Sequence, residues 1–216
     1  MEIVSKNISV SKTARYFLSK ENISNTKILL FVLHGYGMPA LHFLNEFKEF
    51  DNEGTLIVSP EGLSRFYTKG FYGNIGASWM TSEDRKNEIK DYINYLDDVY
   101  KEVLEGLPTK PEKIIFLGFS QGGATATRWA AMGKSEADAL IIHSSDIPKD
   151  IDVDILKEKS EKIKIHLVYG DEDKNIRKEN FESSVNLLKE KNINFETHIF
   201  SGVHNINIET LKIIIL

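Results

Sequence analysis

The sequence contains no cysteine among its 216 residues. It therefore cannot form disulfides, thiolate zinc sites or a cysteine nucleophile, and it is compatible with any redox compartment. Basic residues are not in excess either, since 27 Lys and Arg stand against 32 Asp and Glu for a formal net charge of −5. A nucleic-acid interface needs a basic stripe, so we expect no nucleic-acid partner.

Long hydrophobic runs are also missing. No stretch approaches 18 consecutive apolar residues, so we expect no membrane span and no integral membrane association. The first 17 residues, MEIVSKNISVSKTARYF, have no apolar core behind a basic end, which argues against a secretory signal and favours a cytoplasmic protein. No repeat or linker interrupts the chain, and 41% hydrophobic residues suffice for a sizeable core, so residues 1–216 are predicted to form one domain.

Short apolar runs carry the strongest structural signal. Such runs, apolar on both faces, are typical of strands buried between two helical layers. They lie at residues 28–33, 55–59, 113–118, 139–144 and 165–170, and a last strand is expected at about 194–200.

Helical spacing of apolar residues appears between several of these runs. It predicts helices from Ser82, as N-cap, to Glu105 and from Asn175 to Lys191, with a helix of small residues after Ser120. Residues 8–18 partly alternate apolar and polar side chains, which favours short antiparallel strands at a sheet edge. The alternation of strands and helices predicts an α/β fold with a mostly parallel central sheet flanked by helices.

Residues 114–123 read IIFLGFSQGG, which places a serine between glycines directly after a buried strand. A sharp turn from strand to helix needs bare neighbours, because Cβ atoms at Gly118 and Gly122 would collide with the backbone. This pattern is typical of a nucleophile elbow, which lifts the serine hydroxyl to the rim of a sheet. Ser120 is therefore a candidate nucleophile; the alternative is a turn residue at a close strand–helix junction.

Other reactive side chains also follow the ends of predicted strands. The run ending at Leu33 is followed by HGYG, the run ending at Tyr169 by GDEDKNI, and the last strand by SGVHNI. Ligands of open parallel sheets bind outside the carboxyl ends of the strands. A serine, acids and a histidine therefore arrive at one edge in the chain order Ser, Asp, His, which is the order of α/β-hydrolase triads.

The motifs LHGYG (33–37), GASWM (76–80), LGFSQGG (117–123), YGDEDKNI (169–176) and GVHNI (202–206) resemble those of the α/β-hydrolase superfamily. The chain is most similar to its phospholipase/carboxylesterase family, which includes acyl-protein thioesterases and bacterial carboxylesterases. The resemblance implies an α/β-hydrolase fold with Ser120 as nucleophile, Asp173 as acid and His204 as base.

Two other residues remain alternatives for these roles. His143 ends a predicted strand near the proposed site and is the rival of His204 as base. Asp146 follows the same strand, where some α/β hydrolases carry the acid, and is the rival of Asp173. His166 and His198 lie within predicted strands, so we expect both to be structural.

The remaining site residues follow from the mechanism and the resemblance. An oxyanion needs preorganised donors; the residue after the nucleophile supplies the N–H of Gln121, and the resemblance implies the N–H of Tyr36 as the second. The glycine-interrupted loop at 62–79 carries Phe71, Tyr72 and Trp79, which we expect to bind the acyl chain. The alternative is that these aromatic side chains only pack the loop down.

We expect neither a cap domain nor a bound metal ion or cofactor. Residues 144–162 are too few for a large cap domain between two strands. The histidines and acids lack a ligand spacing such as H-E-x-x-H, so no metal is predicted, and no cofactor is needed.

The predicted function is that of a serine carboxylesterase, which cleaves a small-molecule acyl ester or thioester through an acyl-enzyme. An acyl thioesterase or lysophospholipase with the same site is the alternative. From a different class, the chain could be a non-catalytic binding protein built on a hydrolase fold.

Overall fold

The structure is a computed structural model that describes all residues from 1 to 216. Its centre is a seven-stranded sheet with the strand order β1-β3-β2-β6-β7-β8-β9. The strands of this sheet are β1 (Tyr16–Leu18), β2 (Ile28–Leu33), β3 (Thr55–Pro60), β6 (Lys113–Phe119), β7 (Ala139–His143), β8 (Lys164–Gly170) and β9 (Phe195–Phe200). Two further strands, β4 (Ser64–Tyr67) and β5 (Ile75–Ser78), form a separate antiparallel hairpin.

Helices cover both faces of the central sheet. They are α1 (Ala40–Asn45), α2 (Arg85–Gly106), α3 (Gln121–Met132), α4 (Val153–Ser160), α5 (Lys178–Glu190) and α6 (Ile208–Ile215). Short 3-10 turns lie at Lys48–Phe50 and Gly70–Tyr72. Only β1 runs antiparallel to its neighbour, and the other six strands are parallel, which confirms the predicted mostly parallel sheet.

Each buried strand supplies two cores, one on each face of the sheet. Along β2, Leu29, Phe31 and Leu33 enter the larger core, while Leu30 and Val32 enter the core beneath α1 and α6. Successive side chains of a strand point to opposite faces, so a strand covered on both sides must be apolar at every position. This is why the continuous apolar runs predicted the strands within one or two residues.

The segment between β7 and β8 contains only α4 and its connections. No cap domain is inserted there, as the length of residues 144–162 predicted.

The predicted antiparallel strand at the edge of the sheet is confirmed at Tyr16–Leu18, but it does not extend over residues 8–15. Only Tyr16–Leu18 pairs with β3, and Ile8 and Val10 are exposed. The alternating pattern there has no partner strand and buries no face, so it does not specify a strand.

Two helix starts also differ from the prediction. Helix α2 begins at Arg85 with Asp84 in the N-cap position at φ 47°, so Ser82 is not its cap. Helix α5 begins at Lys178 rather than Asn175, because the N–H groups of Asn175 and Ile176 both donate to Asp173 Oδ1. At α5 a local acceptor therefore keeps both residues outside the helix.

The first turn of α3 lies directly against the end of β2. A Cβ on Gly122 would overlap the carbonyl oxygen of Leu33, and a Cβ on Gly118 would overlap that of Gly122. The two glycines thus permit a close approach of three backbone segments.

We expect Gly122→Ala to lower the free energy of unfolding by about 1–3 kcal/mol, because backbone atoms cannot move aside as a flexible side chain can. Urea denaturation followed by circular dichroism measures this change. Gly106→Ala is the matched control, since its Cβ would meet its nearest neighbour, Ile23 Cδ1, at 3.8 Å. Equal stability of the two variants would contradict the close-approach argument.

Candidate active site

Ser120 lies in the turn between β6 and α3 in a strained backbone conformation, with φ 54° and ψ −120°. A positive φ is uncommon for a residue with a side chain and is found mostly where function or packing enforces it. Its N–H donates to the carbonyl of His143 at 3.0 Å, which ties the turn to the end of β7. The structure therefore has the sharp strand-to-helix turn that the glycine pattern predicted.

Asp173 and His204 meet in the loops that follow β8 and β9. His204 Nδ1 lies 2.7 Å from Asp173 Oδ2, and Asp173 Oδ1 accepts hydrogen bonds from the N–H groups of Asn175 and Ile176. The Asp173 side chain is fully buried, whereas that of His204 is 16% exposed. The bond to Asp173 sets the tautomer of the ring and leaves Nε2 with the lone pair that a base requires.

The charge state of Asp173 follows from two opposing effects. Burial raises the pKa of its carboxyl group. Hydrogen bonds from Ile176, His204 and Asn175 lower the pKa by more than burial raises it, so the pKa of Asp173 is below the ordinary value. Asp173 is therefore ionised at neutral pH. Since its pKa is lower in the folded state, it contributes stability above the unfolded carboxyl pKa, and this contribution is lost as pH falls through the folded value.

The loops that carry Asp173 and His204 are held together by backbone contacts. The N–H of Asp171 donates to Phe200, the N–H of Glu172 donates to Gly202, and the Asp171 carboxylate accepts from the Gly202 N–H at 3.0 Å. A Cβ on Gly170 would collide with the Gly202 carbonyl. Asp171 is thus a positioning residue, whose role the sequence did not distinguish from that of a solvated loop charge.

The His204 ring also packs beside the turn that carries Ser120. The ring centroids of His204 and Phe119 are 4.8 Å apart. The Ser120 hydroxyl makes no hydrogen bond to the His204 ring in this structure. Catalytic hydrogen bonds of free enzymes are often long and tighten when substrate binds.

His143 and Asp146, the alternatives for the base and the acid, do not form a pair like that of His204 and Asp173. His143 is fully buried, and burial lowers its pKa to about 3. Its Nε2 accepts a hydrogen bond from the Asn207 N–H, so its proton is on Nδ1, which faces the Ser144 hydroxyl. The side chain of Asp146 makes no hydrogen bond with either histidine. His143 therefore supports the loop after His204 rather than presenting a free base.

The loop after β2 carries Tyr36 and is held in place from several sides. Its neighbour Gly37 has φ +73° and donates its N–H to Ala77 of β5 at 2.9 Å. The buried His34 accepts from the Gly62 N–H through Nε2 and faces the Gly35 carbonyl through Nδ1. The Tyr36 N–H has no hydrogen-bond partner within the chain.

Gln121 is the first residue of α3, so no preceding helical turn accepts its N–H. Its side chain is engaged separately. Gln121 Oε1 accepts from the Trp79 N–H at 3.1 Å, and Nε2 donates to the Met80 carbonyl at 2.8 Å. The side-chain amide of Gln121 therefore joins α3 to the segment after β5.

The structure does not bring Trp79 to the surface with Phe71 and Tyr72. Trp79 is 1% exposed, stacks on His34 at 4.9 Å and donates its indole N–H to the His34 carbonyl. Its side chain therefore lies beneath the loop that carries Tyr36, where an acyl chain has no access. This placement corrects the expectation for Trp79 and makes it a positioning residue.

Phe71 and Tyr72 form the exposed tip of the β4–β5 hairpin, with 87% and 99% of their surface accessible. Strand β4 of the hairpin lies beside the Tyr36 loop, where the rings of Tyr36 and Phe66 are 5.2 Å apart. A role in substrate binding stays a prediction for both residues. Two cavities of about 460 and 600 Å³ lie at the opposite end of the sheet, and Ser120 lines neither of them.

The family model described as Phospholipase/Carboxylesterase matches residues 17–215, which is nearly the whole chain. The chain belongs to this family. Membership makes it a hydrolase of the esterase type, so the non-catalytic alternative is not supported. No curated protein sequence matches the chain. None of its helices is both long enough and apolar enough to cross a membrane.

Solved structures show the α/β-hydrolase fold. Esterase PE8 is 21% identical with a TM-score of 0.68, over 93% of this chain and 95% of that one. Zea mays acyl-protein thioesterase 2 is 18% identical with a TM-score of 0.68, over 94% and 96%. Bacillus cereus carboxylesterase is 15% identical with a TM-score of 0.69, over 93% and 91%.

We expect Asp173→Asn to retain the fold but to lower kcat by about 10⁴, because the amide favours the wrong tautomer of the imidazole. Steady-state hydrolysis of a p-nitrophenyl ester measures the change. Asp146→Asn is the matched control and should stay close to the unmodified protein. The opposite ranking of the two variants would move the acid to the loop after β7.

Proposed function

We propose that this family member is a carboxylesterase-type serine hydrolase that cleaves acyl esters through an acyl-enzyme. The observation that carries the proposal is the bonded pair of His204 and Asp173, held at the same sheet edge as Ser120 in its strained turn. A serine hydroxyl is a weak nucleophile without a base, and a histidine base needs a partner that orients it. The chain supplies the three groups in this arrangement.

The reaction has two stages. His204 takes the proton of Ser120 as its oxygen attacks the ester carbonyl, and then gives that proton to the departing alcohol. The acyl group remains on Ser120. His204 next takes a proton from water, whose oxygen attacks the acyl-enzyme, and the proton returns to Ser120 as the carboxylic acid leaves. Asp173 stays ionised throughout and stabilises the imidazolium that forms in each stage.

The N–H groups of Tyr36 and Gln121 are proposed to stabilise the oxyanion. The first has no partner within the chain, and the second opens α3, whose N-terminal dipole favours negative charge. The loop that carries the Tyr36 N–H is held by the hydrogen bonds of Trp79 and Gly37. The Gln121 N–H is held by the bond of its own side-chain amide to Met80. Preorganised donors stabilise charge without the cost of reorienting during the reaction.

The substrate proposed is a small-molecule acyl ester. A thioester would use the same site, because the attack and the oxyanion are the same and only the leaving group differs. The exposed Phe71 and Tyr72 offer apolar surface to an acyl chain beside an open edge.

A fluorophosphonate probe is expected to modify Ser120 and no other serine, and Ser120→Ala is expected to abolish both labelling and ester turnover. The physical reason is that Ser120 lies in a strained turn next to Phe119, whose ring packs on His204, the proposed base. Mass spectrometry of the labelled protein and a p-nitrophenyl acetate assay measure the two outcomes. Labelling of a different serine, or activity retained in Ser120→Ala, would overturn the proposal.

Phe71→Ala and Tyr72→Ala are expected to impair long acyl esters more than acetyl esters. Each lost apolar contact costs about 1–3 kcal/mol, and the loss grows with the part of the chain it covers. A panel of p-nitrophenyl and thioester substrates of graded chain length measures kcat/KM for each.

Ile213→Ala is the control, since Ile213 is 80% exposed but lies on α6 beside the cavity at the other end of the sheet. Trp79→Phe is expected to slow all chain lengths alike, because it removes the indole donor to His34. A uniform loss in Phe71→Ala would show that the hairpin tip supports the site rather than the acyl chain.

A further inference from the structure

A second group of polar side chains lies on the last two strands, away from Ser120. His166 belongs to β8, and Glu196 and His198 belong to β9, the edge strand of the sheet. His166 pairs with Glu196 and Val168 pairs with His198 in the parallel register. Residues two apart on a strand share a face, and paired residues of neighbouring strands do too, so all three side chains lie on the face covered by α6.

The ligating atoms of these side chains lie at similar separations. His166 Nδ1 is 3.1 Å from His198 Nε2 and 3.5 Å from Glu196 Oε2, and the last two atoms are 3.7 Å apart. Zinc binds imidazole nitrogen and carboxylate oxygen at about 2.0–2.2 Å in a tetrahedron, which places the ligand atoms about 3.4 Å from one another. The three observed separations bracket this value.

We propose that His166, Glu196 and His198 bind a divalent transition metal ion, with Zn²⁺ as the ion that fits best. Two imidazoles and one carboxylate suit zinc, and three protein ligands leave one position for water or an anion. The three ligand atoms already form one face of the tetrahedron, so the ion needs little rearrangement of the strands.

The surroundings permit such a site. All three residues line a cavity of about 460 Å³, so an ion has space to enter. The His166 side chain is buried at the inner wall of this cavity, while His198 and Glu196 are more exposed, so the three ligands form a path from solvent to the buried ring.

Charges in the same cavity act in both directions. The other titratable groups that line it are Lys113, Asp138, Lys162 and Lys164. Lys113 donates to the Ile214 and Ile215 carbonyls at the end of α6, and Asp138 accepts from the Ile114 N–H, so both are already engaged. The positive charges of the lysines lower the affinity for a metal ion relative to a site lined by acids alone. The same charges favour an anion as the fourth ligand of the ion.

The role that fits this position is structural. Strand β9 lies at the edge of the sheet, and β8 and β9 lead into the loops that carry Asp173 and His204. An ion shared by both strands would lock their register and stabilise the folded state by mass action. The site is at the amino end of the strands, the opposite end from Ser120, so the inference does not depend on the proposed esterase activity.

The test is calorimetric titration of chelator-treated protein with ZnCl₂. We expect one Zn²⁺ per chain, a rise in Tm when the ion is added, and affinity at least about tenfold weaker in His198→Gln and Glu196→Gln. These two side chains are 20% and 59% exposed, so neither substitution disturbs the core. His42→Gln, an exposed histidine on α1, is the control and should bind as the unmodified protein does.

Crystals soaked in ZnCl₂ give an independent readout. An anomalous difference peak between His166 Nδ1, Glu196 Oε2 and His198 Nε2 is expected, and it should vanish in His198→Gln. Absence of binding, equal affinity in all variants, or a peak at His204 and Asp173 instead would overturn the proposal.

Discussion

The close approach of α3 to the ends of β2 and β6 is the constraint on which the proposed site depends. Gly118 and Gly122 lack the Cβ atoms that would keep these backbones apart. The approach forces Ser120 into a positive φ and points the start of α3 at the sheet edge. A strained residue persists only where its surroundings hold it, and here the hydrogen bond to His143 and the packing of α3 on the sheet do so.

Buried polar groups then hold the loops around this turn. His34, His143 and Asp173 are all buried, and each has hydrogen bonds that set its tautomer or charge. The two histidines are neutral because burial lowers their pKa values to about 4 and about 3, while Asp173 stays ionised through its three hydrogen bonds. A buried polar group without a hydrogen-bond partner is costly. These bonds therefore fix the positions of the loops more closely than apolar packing alone would.

The parallel sheet presents two different ends. At the carboxyl ends the loops after β2, β6, β8 and β9 converge on one edge, and at the amino ends of β6 to β9 a cavity adjoins the two histidines and Glu196. Both arrangements come from the same parallel register, which aligns strand ends as well as side chains within the strands. The ester chemistry and the proposed metal site can therefore be tested separately.

The sequence by itself determined the strands, their α/β arrangement and the chain order of Ser120, Asp173 and His204, because burial on both faces and glycine-flanked turns are local properties. It did not decide between His143 and His204 as the group that bonds Asp173, since that depends on which loops meet after folding. Nor did it place Trp79 in the core or start α5 after Ile176, because His34 and the Asp173 carboxylate contact those groups only in the folded chain. The spacing Glu196-x-His198 on a strand was visible, but the pairing of β9 with β8 that adds His166 was decided by the tertiary structure.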